Sequence, residues 1–261
     1  MASSIVIVGS CMIDFVCYSS RLPREGETLH GYKFVTNFGG KGANQCVAAH
    51  KLGASTTMIA RVGDDLWGDK YINNFKDLGI NHMYVKKTTG VSTGIAQISV
   101  ADSGANQIII VAGANSQLSV ADILDSKSVI EKADVLVCQL ETSSDVAIEA
   151  MKLCKGQIIL NGAPALVKYD PELLTLPSIF CVNELEASEL LRHAEIKSSI
   201  DNITICKLMK QPAIMTIEMT NLDEPIIGED CTKDTKERVR EMVLAFEPKK
   251  TNECNDENNY N

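Results

Sequence analysis

The seven residues 39–45, Gly-Gly-Lys-Gly-Ala-Asn-Gln, have the composition best suited to chemistry in this sequence. Three glycines and a lysine stand where a loop is predicted to turn into a helix of small residues. Glycine has no Cβ, so a ligand can approach the main chain, and the first amides of a helix are unpaired donors. The segment therefore predicts a site for a polar ligand, held by backbone amides and one ammonium group.

Carboxylates and amides follow several of the predicted strands within a few residues. In open α/β sheets, ligands bind beyond the carboxyl ends of the strands. Any one such residue taken alone is more often a helix cap. Together with the glycine-rich segment, they predict a rim suited to a polyhydroxylated molecule. These residues are Asp14, Glu141, Asn161, Asn183 and Glu186.

Two common nucleotide-binding motifs are excluded by the residues present. Gly42 follows Lys41, where the phosphate-binding P-loop needs a serine or threonine. The first strand is followed by Gly-Ser-Cys-Met-Ile-Asp (9–14) and not by Gly-x-Gly-x-x-Gly, which disfavours a nicotinamide enzyme. The four histidines are scattered without metal-ligand spacing, so none is assigned a role.

The elements that must position these residues alternate between short β-branched runs and helix-like stretches. This alternation predicts an α/β fold with a doubly wound, mostly parallel sheet covered on both faces. The predicted strands are Ile5–Gly9, Thr56–Val62, Asp134–Leu140, Gln157–Asn161, Ser178–Val182 and Ala213–Ile217. The predicted helices are Gly42–Leu52, Leu66–Leu78, Val120–Lys132, Asp145–Cys154 and Asp201–Met209.

Two segments depart from this alternation. Thr28–Phe38 and Thr93–Ala112 resemble strands, the second with a hairpin turn at residues 101–106 and no helix between its two halves. We expect an antiparallel β-sheet lid over the site, with strands near 14–38 and 93–112. The alternative is an edge extension of the main sheet without a role at the site.

Composition limits the class of protein. The chain has 261 residues, of which 45% are hydrophobic and 23% charged, as in ordinary globular proteins, and a net charge of −9 that disfavours nucleic-acid partners. No apolar run approaches a membrane span. The nine cysteines form no Cys-x-x-Cys pair and are interpreted as reduced core thiols. These features predict a cytoplasmic protein and leave a nuclear location open.

Eight ordered motifs resemble the ribokinase-like family of sugar kinases, which also includes fructokinases and adenosine kinases. The lysine-containing Gly-Gly motif is typical of the ribokinase branch. The resemblance is strong over residues 5–191 and faint to about residue 217. The motifs are Gly-Ser-Cys-Met-Ile-Asp (9–14), Arg-Leu-Pro-Arg-Glu-Gly-Glu-Thr (21–28), the segment 39–45, Arg-Val-Gly-Asp-Asp (61–65), Ala-Gly-Ala-Asn (112–115), Gln-Leu-Glu (139–141), Asn-Gly-Ala-Pro (161–164) and Asn-Glu-Leu-Glu (183–186).

This resemblance implies ATP-dependent transfer of phosphate to the 5-hydroxyl of D-ribose. It also implies Mg²⁺ and K⁺ as cofactors and a homodimer formed through the lid strands. Asn183 and Glu186 would organise magnesium and phosphate, with Glu186 as the metal ligand. The residues implied to hold the sugar are Asp14, Gly40, Lys41, Gly42, Asn44 and Glu141.

The sequence departs from the family pattern after about residue 217. The family's Gly-Ala-Gly-Asp motif provides an anion hole and the base that activates the sugar hydroxyl, and it is absent here. Asp230 is interpreted as a capping or surface carboxylate, so no catalytic residue is assigned. We expect a ribokinase-like domain over 1–217 and a divergent, acidic, partly disordered tail over 218–261, in a truncated or divergent family member.

Three functions remain open from the sequence. The first is a ribokinase-type enzyme, of which this chain lacks the catalytic C-terminal part. The second is a non-catalytic form that binds ribose or pairs with a complete subunit. The third is a related sugar or nucleoside kinase, which Lys41 within Gly-Gly-Lys-Gly disfavours.

Overall fold

Two β-sheets and the helices around the larger one form the part of the chain that the structure describes. The computed structural model describes residues 2–183, 186, 187, 189 and 190, and the backbone of 214–216. In chain order the elements are β1 (Ser4–Val8), β2 (Met12–Ser19), β3 (Lys33–Gly39), α1 (Lys41–Lys51), β4 (Ser55–Gly63), α2 (Leu66–Leu78), β5 (Asn81–Thr88), β6 (Gly94–Ala101), β7 (Asn106–Val111), a 3₁₀ helix (Gly113–Gln117), α3 (Val120–Asp125), α4 (Lys127–Ile130), β8 (Val135–Cys138), α5 (Ser144–Leu153), β9 (Gln157–Asn161), α6 (Glu172–Thr175), β10 (Ile179–Val182) and β11 (Ile214–Thr216).

The larger sheet has the strand order β11-β10-β9-β8-β1-β4-β5, and every neighbouring pair is parallel. From β1 the chain moves to one side through β4 and β5, and later to the other side from β8 to β11. The order therefore reverses between β1 and β8, and such a reversal leaves a crevice at the carboxyl ends of the two strands.

Apolar residues cover both faces of this sheet. Val6 and Val8 of β1 pack with Ile123 of α3 and Met151 of α5, in a cluster that also includes β8, β9 and β10 residues. The intervening Ile7 belongs to a second cluster with α1 and α2 residues on the opposite face. This alternation along one strand confirms the predicted doubly wound α/β sheet.

The smaller sheet, which we call the lid, has the order β3-β2-β6-β7. The β2–β3 and β6–β7 pairs are antiparallel, but β2 and β6 pair in parallel. The expectation of an antiparallel lid was therefore wrong in this detail. Both β2 and β6 follow the carboxyl end of a strand of the large sheet, β1 and β5 respectively, so both enter the lid in the same direction.

Helix α2 and its N-cap contact two strands of the lid, β2 and β3, and the residue that precedes β6. Its N-cap carboxylate binds the chain just before β6, and two of its aromatic side chains contact β2 and β3. The contacts are Thr93 N to Asp65 at 2.8 Å, Thr93 Oγ1 to Asp65 at 2.6 Å, edge-to-face packing of Trp67 and Phe15 at 5.2 Å, and donation by the Tyr71 hydroxyl to the carbonyl of Gly39.

The buried side chain of Asn115 joins the segment that enters the lid before β2 to the segment that leaves it after β7. Asn115 accepts a hydrogen bond from the Cys11 amide at 2.7 Å and donates to the Cys11 carbonyl at 2.8 Å. It also donates to the Ala112 carbonyl at 2.9 Å. The residue before β2 and the residue after β7 are thereby held together.

Most predicted strands and helices are found within one or two residues of their expected bounds, with three differences. The predicted helix 120–132 is broken at Ser126, whose hydroxyl donates back to the carbonyls of Asp122 and Ile123 at 2.9 and 3.0 Å, a pattern that bends helices. Strand β5 was not predicted, because this edge strand has the polar sequence Asn-His-Met-Tyr-Val-Lys-Lys-Thr. Strand β3 begins at Lys33, so residues 28–32 are loop.

Several expectations lie outside the described residues, namely the helix 201–209, Asp230 and the tail 218–261. Among the six described cysteines all are free thiols, but Cys17 is exposed and is not a core residue as expected. Within the residues that the structure describes, no helix is long and apolar enough to cross a membrane.

A buried carboxylate connects α3 to the edge of the large sheet. Asp122 is 3% exposed and accepts a bidentate pair of hydrogen bonds from Arg61 at 2.8 and 2.9 Å and one from Lys86 at 3.0 Å. It also forms a capping box with Ser119. Burial alone would raise the pKa of Asp122, but hydrogen bonds from Arg61, Lys86 and Ser119 outweigh burial and lower it well below its usual range.

Replacing Asp122 by Asn is expected to lower the free energy of unfolding at pH 7 by about 3 kcal/mol, because two cations lose a buried partner. Since the folded pKa is lowered, this stabilisation is complete above the unfolded value of about 3.9 and is lost as the pH falls below it. Denaturant unfolding of both proteins between pH 7 and pH 2 measures the difference. The control is Asp125→Asn, an exposed partner of Lys86, with an expected cost of about 0–1 kcal/mol. Equal losses in the two variants would contradict the assignment.

Candidate functional site

The Glu141 carboxylate lies at the reversal point of the large sheet, three residues beyond β8 and beside the end of β1. Its Oε2 accepts hydrogen bonds from the Ser10 hydroxyl at 2.5 Å and from the Lys41 amide at 2.8 Å. Its Oε1 lies 3.4 Å from Lys41 Nζ. The Glu141 side chain is 8% exposed and that of Lys41 is 39% exposed, so the ion pair opens to solvent on the lysine side.

The glycines of segment 39–45 let α1 begin against the chain that leaves β1. Gly40 is the N-cap of α1 and has a φ of 91°, which a residue with a Cβ rarely adopts. A Cβ on Gly42 would lie 2.7 Å from the backbone nitrogen of Ser10. Gly42 is buried and its amide faces the Ser10 hydroxyl at 3.4 Å. Packing therefore requires glycine at both positions, and their contact with sugar stays a prediction.

Gln139 fills the space behind this turn, a role that was not predicted from its place in the motif 139–141. Its side chain is 1% exposed and donates to Gln45 Oε1 at 2.6 Å. Among the described residues its own Oε1 has no hydrogen-bond partner. A Cβ on Gly9 would lie only 1.9 Å from that oxygen. Gly9 and Gln139 together set the position of the segment that follows β1.

Asp14 enters the same region from the lid. It lies on β2, half-buried, with Asn37 and Ala96 opposite on the neighbouring strands. A Cβ on Gly39 would lie 2.3 Å from its carboxylate. Burial raises the pKa of Asp14, and the negative charge of Glu141 raises it further. The charge of Glu141, on the segment that follows β8, thus acts on a carboxyl group of the lid.

The structure brings three of the predicted sugar ligands, Asp14, Lys41 and Glu141, into one electrostatic cluster. Asn44 is exposed one turn along α1 from Gly40, and its amide donates to the Gly40 carbonyl at 2.9 Å. Two residues that the sequence did not assign to the site support it. Ser10 binds the Glu141 carboxylate, and Gln139 binds Gln45 on α1 and packs against Gly9.

Asn183 and Glu186, the predicted phosphate and metal residues, follow β10 and form a helix cap. The Glu186 amide donates to Asn183 Oδ1 at 2.8 Å, and the Asn183 amide donates to Glu186 Oε2 at 2.9 Å. No hydrogen bond or ion pair in the described part of the chain joins this cap to Lys41 or Glu141. Strand β9 separates the two groups.

Asn183 and Glu186 fit a magnesium ion that takes most of its ligands from phosphates and water. In the ranges that the structure describes, no three His, Cys, Asp or Glu side chains cluster as metal ligands. Glu186 uses one carboxylate oxygen for the cap. Protein sites for Mg²⁺ often supply one or two carboxylates and leave the remaining positions to water and substrate phosphates.

A separate cleft of about 630 Å³ lies at the outer end of the lid. Cys17, Leu29 and Phe34 line it together with Glu27, whose carboxylate is paired with Arg21 at 2.5 Å. None of the predicted sugar ligands is among its lining residues. The cleft therefore does not belong to the site at the sheet edge.

Comparison with known proteins gives the same family as the sequence motifs. Residues 2–215 match the model of the pfkB family carbohydrate kinases. Ribokinase of Mus musculus is 46% identical over 196 residues, which is 74% of this chain and 61% of the mouse protein. The chain likewise spans 60% of the length of the deoxyribokinases of two Salmonella strains, which are 39% identical.

Solved structures confirm the ribokinase-like fold. The structure of ribokinase from Giardia lamblia has a TM-score of 0.71 and 32% identity, covering 83% of this chain and 69% of that one. The structure of Arabidopsis thaliana ribokinase complexed with ribose and ATP has a TM-score of 0.70 and 27% identity, covering 87% and 78% of the two chains.

Replacing Glu141 by Gln is expected to lower the pKa of Asp14, because the substitution removes the neighbouring negative charge and leaves burial unchanged. In the parent protein Asp14 is expected to titrate above the ordinary aspartate value of about 3.9. Carboxyl-detected NMR titration measures both values. Asp170→Asn, which removes an exposed carboxylate on the loop before α6, is the charge-matched control. An Asp14 titration that is the same in all three proteins would show that the two carboxylates do not interact.

Proposed function

Because this chain belongs to the pfkB family of carbohydrate kinases, we propose that its site binds D-ribose for ATP-dependent phosphorylation to D-ribose 5-phosphate. The chain spans about 60% of the length of the mouse ribokinase and the Salmonella deoxyribokinases. That this chain shares the activity of those longer proteins is therefore proposed. The Arabidopsis ribokinase structure is a complex with ribose and ATP, which supports this choice of substrates.

The observation that carries the proposal is the grouping of Glu141, Lys41 and Asp14 at the reversal point of the sheet. Each hydroxyl of a sugar is both a donor and an acceptor. Carboxylates accept from such hydroxyls and an ammonium group donates to them, in charge-assisted hydrogen bonds. A small polyol can therefore donate hydrogen bonds to the carboxylates and accept one from the ammonium group of this site.

The rest of the site suits a reaction that depends on positioning. Phosphoryl transfer is accelerated largely by alignment and by stabilisation of charge. Asn183 and Glu186 lie two strands from Glu141 at the same edge of the sheet, where they would face the phosphates of ATP. A magnesium ion bound there supplies positive charge to those phosphates. Asp14 reaches the sugar from the lid, so a lid that covers the sugar also excludes water.

Replacing Asp14 by Ala is expected to weaken D-ribose binding about 10- to 100-fold, since one hydrogen bond to a charged group contributes about 1.5–3 kcal/mol. Isothermal titration calorimetry of the parent and the variant measures the two dissociation constants. The control is Asp102→Ala, which removes an aspartate of the same charge from the β6–β7 turn of the lid. Equal affinity in the parent and Asp14→Ala proteins would remove Asp14 from the site. A parent protein that does not bind ribose would refute the proposed substrate.

The same samples test phosphate transfer by residues 1–261, with ATP, Mg²⁺ and K⁺ present and a ribokinase that contains Gly-Ala-Gly-Asp as the positive control. General-base catalysis contributes about 10²–10⁴-fold and one anion-hole donor about 10²–10³-fold. The proposed activity needs both groups, which the family resemblance assigns to Gly-Ala-Gly-Asp, and residues 1–261 do not contain that motif. For residues 1–261 alone we therefore expect ribose binding with negligible formation of ribose 5-phosphate. Turnover within tenfold of the control would mean that Asp230 or another carboxylate of the tail serves as the base.

A homodimer through the lid is part of the proposal. All six residues of β7 are exposed, and Ile108 and Ile110 project from the same face of the lid as Asp14. An exposed apolar edge strand is a ready partner for a second copy. Sedimentation is expected to give a dimer for the parent and a monomer for Ile110→Glu, because burying a charge in the contact is unfavourable. Met83→Glu, on the exposed edge strand β5, is expected to remain dimeric. A monomeric parent would contradict this contact.

A further inference from the structure

We infer that Ser10 is a positioning residue for the sugar site: its buried hydroxyl fixes the Glu141 carboxylate in the orientation that leaves one oxygen for a ligand. This inference rests on the proposed sugar-binding function and extends it to a residue outside the predicted ligand set. Ser10 is 0% exposed and is not itself open to a sugar.

The hydroxyl of Ser10 has both of its hydrogen-bonding roles defined. It donates to Glu141 Oε2 at 2.5 Å and lies 3.4 Å from the Gly42 amide, which donates to it. Oε2 also accepts the Lys41 amide at 2.8 Å. Two donors therefore occupy Oε2, and Oε1 is the oxygen turned toward the Lys41 ammonium and the open side of the site.

The backbone of Ser10 is fixed on both sides, so the serine orients the carboxylate and not the reverse. The Ala43 amide of α1 donates to the Ser10 carbonyl at 3.0 Å. The next amide, that of Cys11, donates to Asn115 Oδ1 at 2.7 Å. Glu141, by contrast, lies in the segment between β8 and α5, and its flexible side chain acquires its orientation from the donors that it meets.

The hydrogen bond between Ser10 and Glu141 joins segments that are distant in sequence. Strands β1 and β8 are neighbours at the reversal point, although Ser10 and Glu141 are 131 residues apart in sequence. Without the serine hydroxyl, Oε2 retains only the Lys41 amide as a hydrogen-bond donor among the described residues. The carboxylate can then rotate so that the Lys41 ammonium contacts both oxygens, which competes with a sugar hydroxyl for the same groups.

The test compares Ser10→Ala with Ser126→Ala, which removes an equally buried hydroxyl with two hydrogen bonds from the α3–α4 junction. Two quantities are measured in each protein, besides its melting temperature. Hydrogen exchange of the Lys41 amide reports on the Glu141 carboxylate without any ligand, and calorimetry gives the dissociation constant for D-ribose. Ser10→Cys replaces the hydroxyl by a thiol, a larger group and a weaker donor, and is the second variant if the alanine variant does not fold.

Both alanine variants are expected to melt at lower temperature than the parent. Only Ser10→Ala is expected to speed exchange of the Lys41 amide and to weaken ribose binding by about tenfold, the lower end for a hydrogen bond to a charged group. Ser10→Cys is expected to lie between Ser10→Ala and the parent. In a Glu141→Gln background, Ser10→Ala is expected to cause a smaller further loss of ribose affinity than in the parent, because the two residues act through one contact.

Two outcomes would overturn the inference. One is Lys41 exchange in Ser10→Ala that is no faster than in Ser126→Ala. The other is ribose affinity that Ser10→Ala leaves unchanged in a parent that binds ribose. A parent without ribose affinity would refute the proposed function, and the exchange measurement alone would then decide whether Ser10 positions Glu141.

Discussion

The constraint on which this structure depends is the placement of one carboxylate, that of Glu141, where the two halves of the large sheet diverge. A carboxylate that is 8% exposed must be compensated by donors. Those donors are the Ser10 hydroxyl and the first amide and the side chain of α1. For α1 to begin that close to Ser10, positions 40 and 42 must be glycine. The glycine-rich segment is therefore explained by the anchoring of a buried anion as well as by access for a ligand.

The second carboxylate reaches the site by a different route. Asp14 belongs to the lid. Hydrogen bonds and aromatic contacts join the lid to the elements around the large sheet. Helix α2 and its N-cap supply several of these contacts, through Asp65, Trp67 and Tyr71. Burial raises the pKa of Asp14 most, and the charge of Glu141 adds to it. Because Asp14 stands on the lid and Glu141 on the segment that follows β8, this added effect depends on where the lid is held.

The sequence predicted most of the fold because the buried strands are short β-branched runs bounded by glycine or polar residues. It missed β5, since an edge strand needs few apolar residues, and it missed the break at Ser126, which depends on one hydroxyl. The charged members of the site were predicted because their motifs resemble a known family. The supporting roles of Ser10, Gln139 and Asn115 could not be predicted, since each depends on contacts between segments about a hundred residues apart.

The register of the lid has a mechanical consequence. The chain passes between the two sheets four times, next to Met12, Gly39, Gly94 and Val111. Met12 pairs with both Gly39 and Gly94, and Val111 pairs with Ile95, so the four crossings form one row across neighbouring strands. Such a row is about 15 Å long, or three strand spacings. Tilting the lid about this row leaves all four connections at nearly constant length, whereas sliding or twisting it stretches some of them. The four connections would therefore constrain a tilt of the lid least, and Asp14, two residues beyond Met12 on β2, would move with such a tilt.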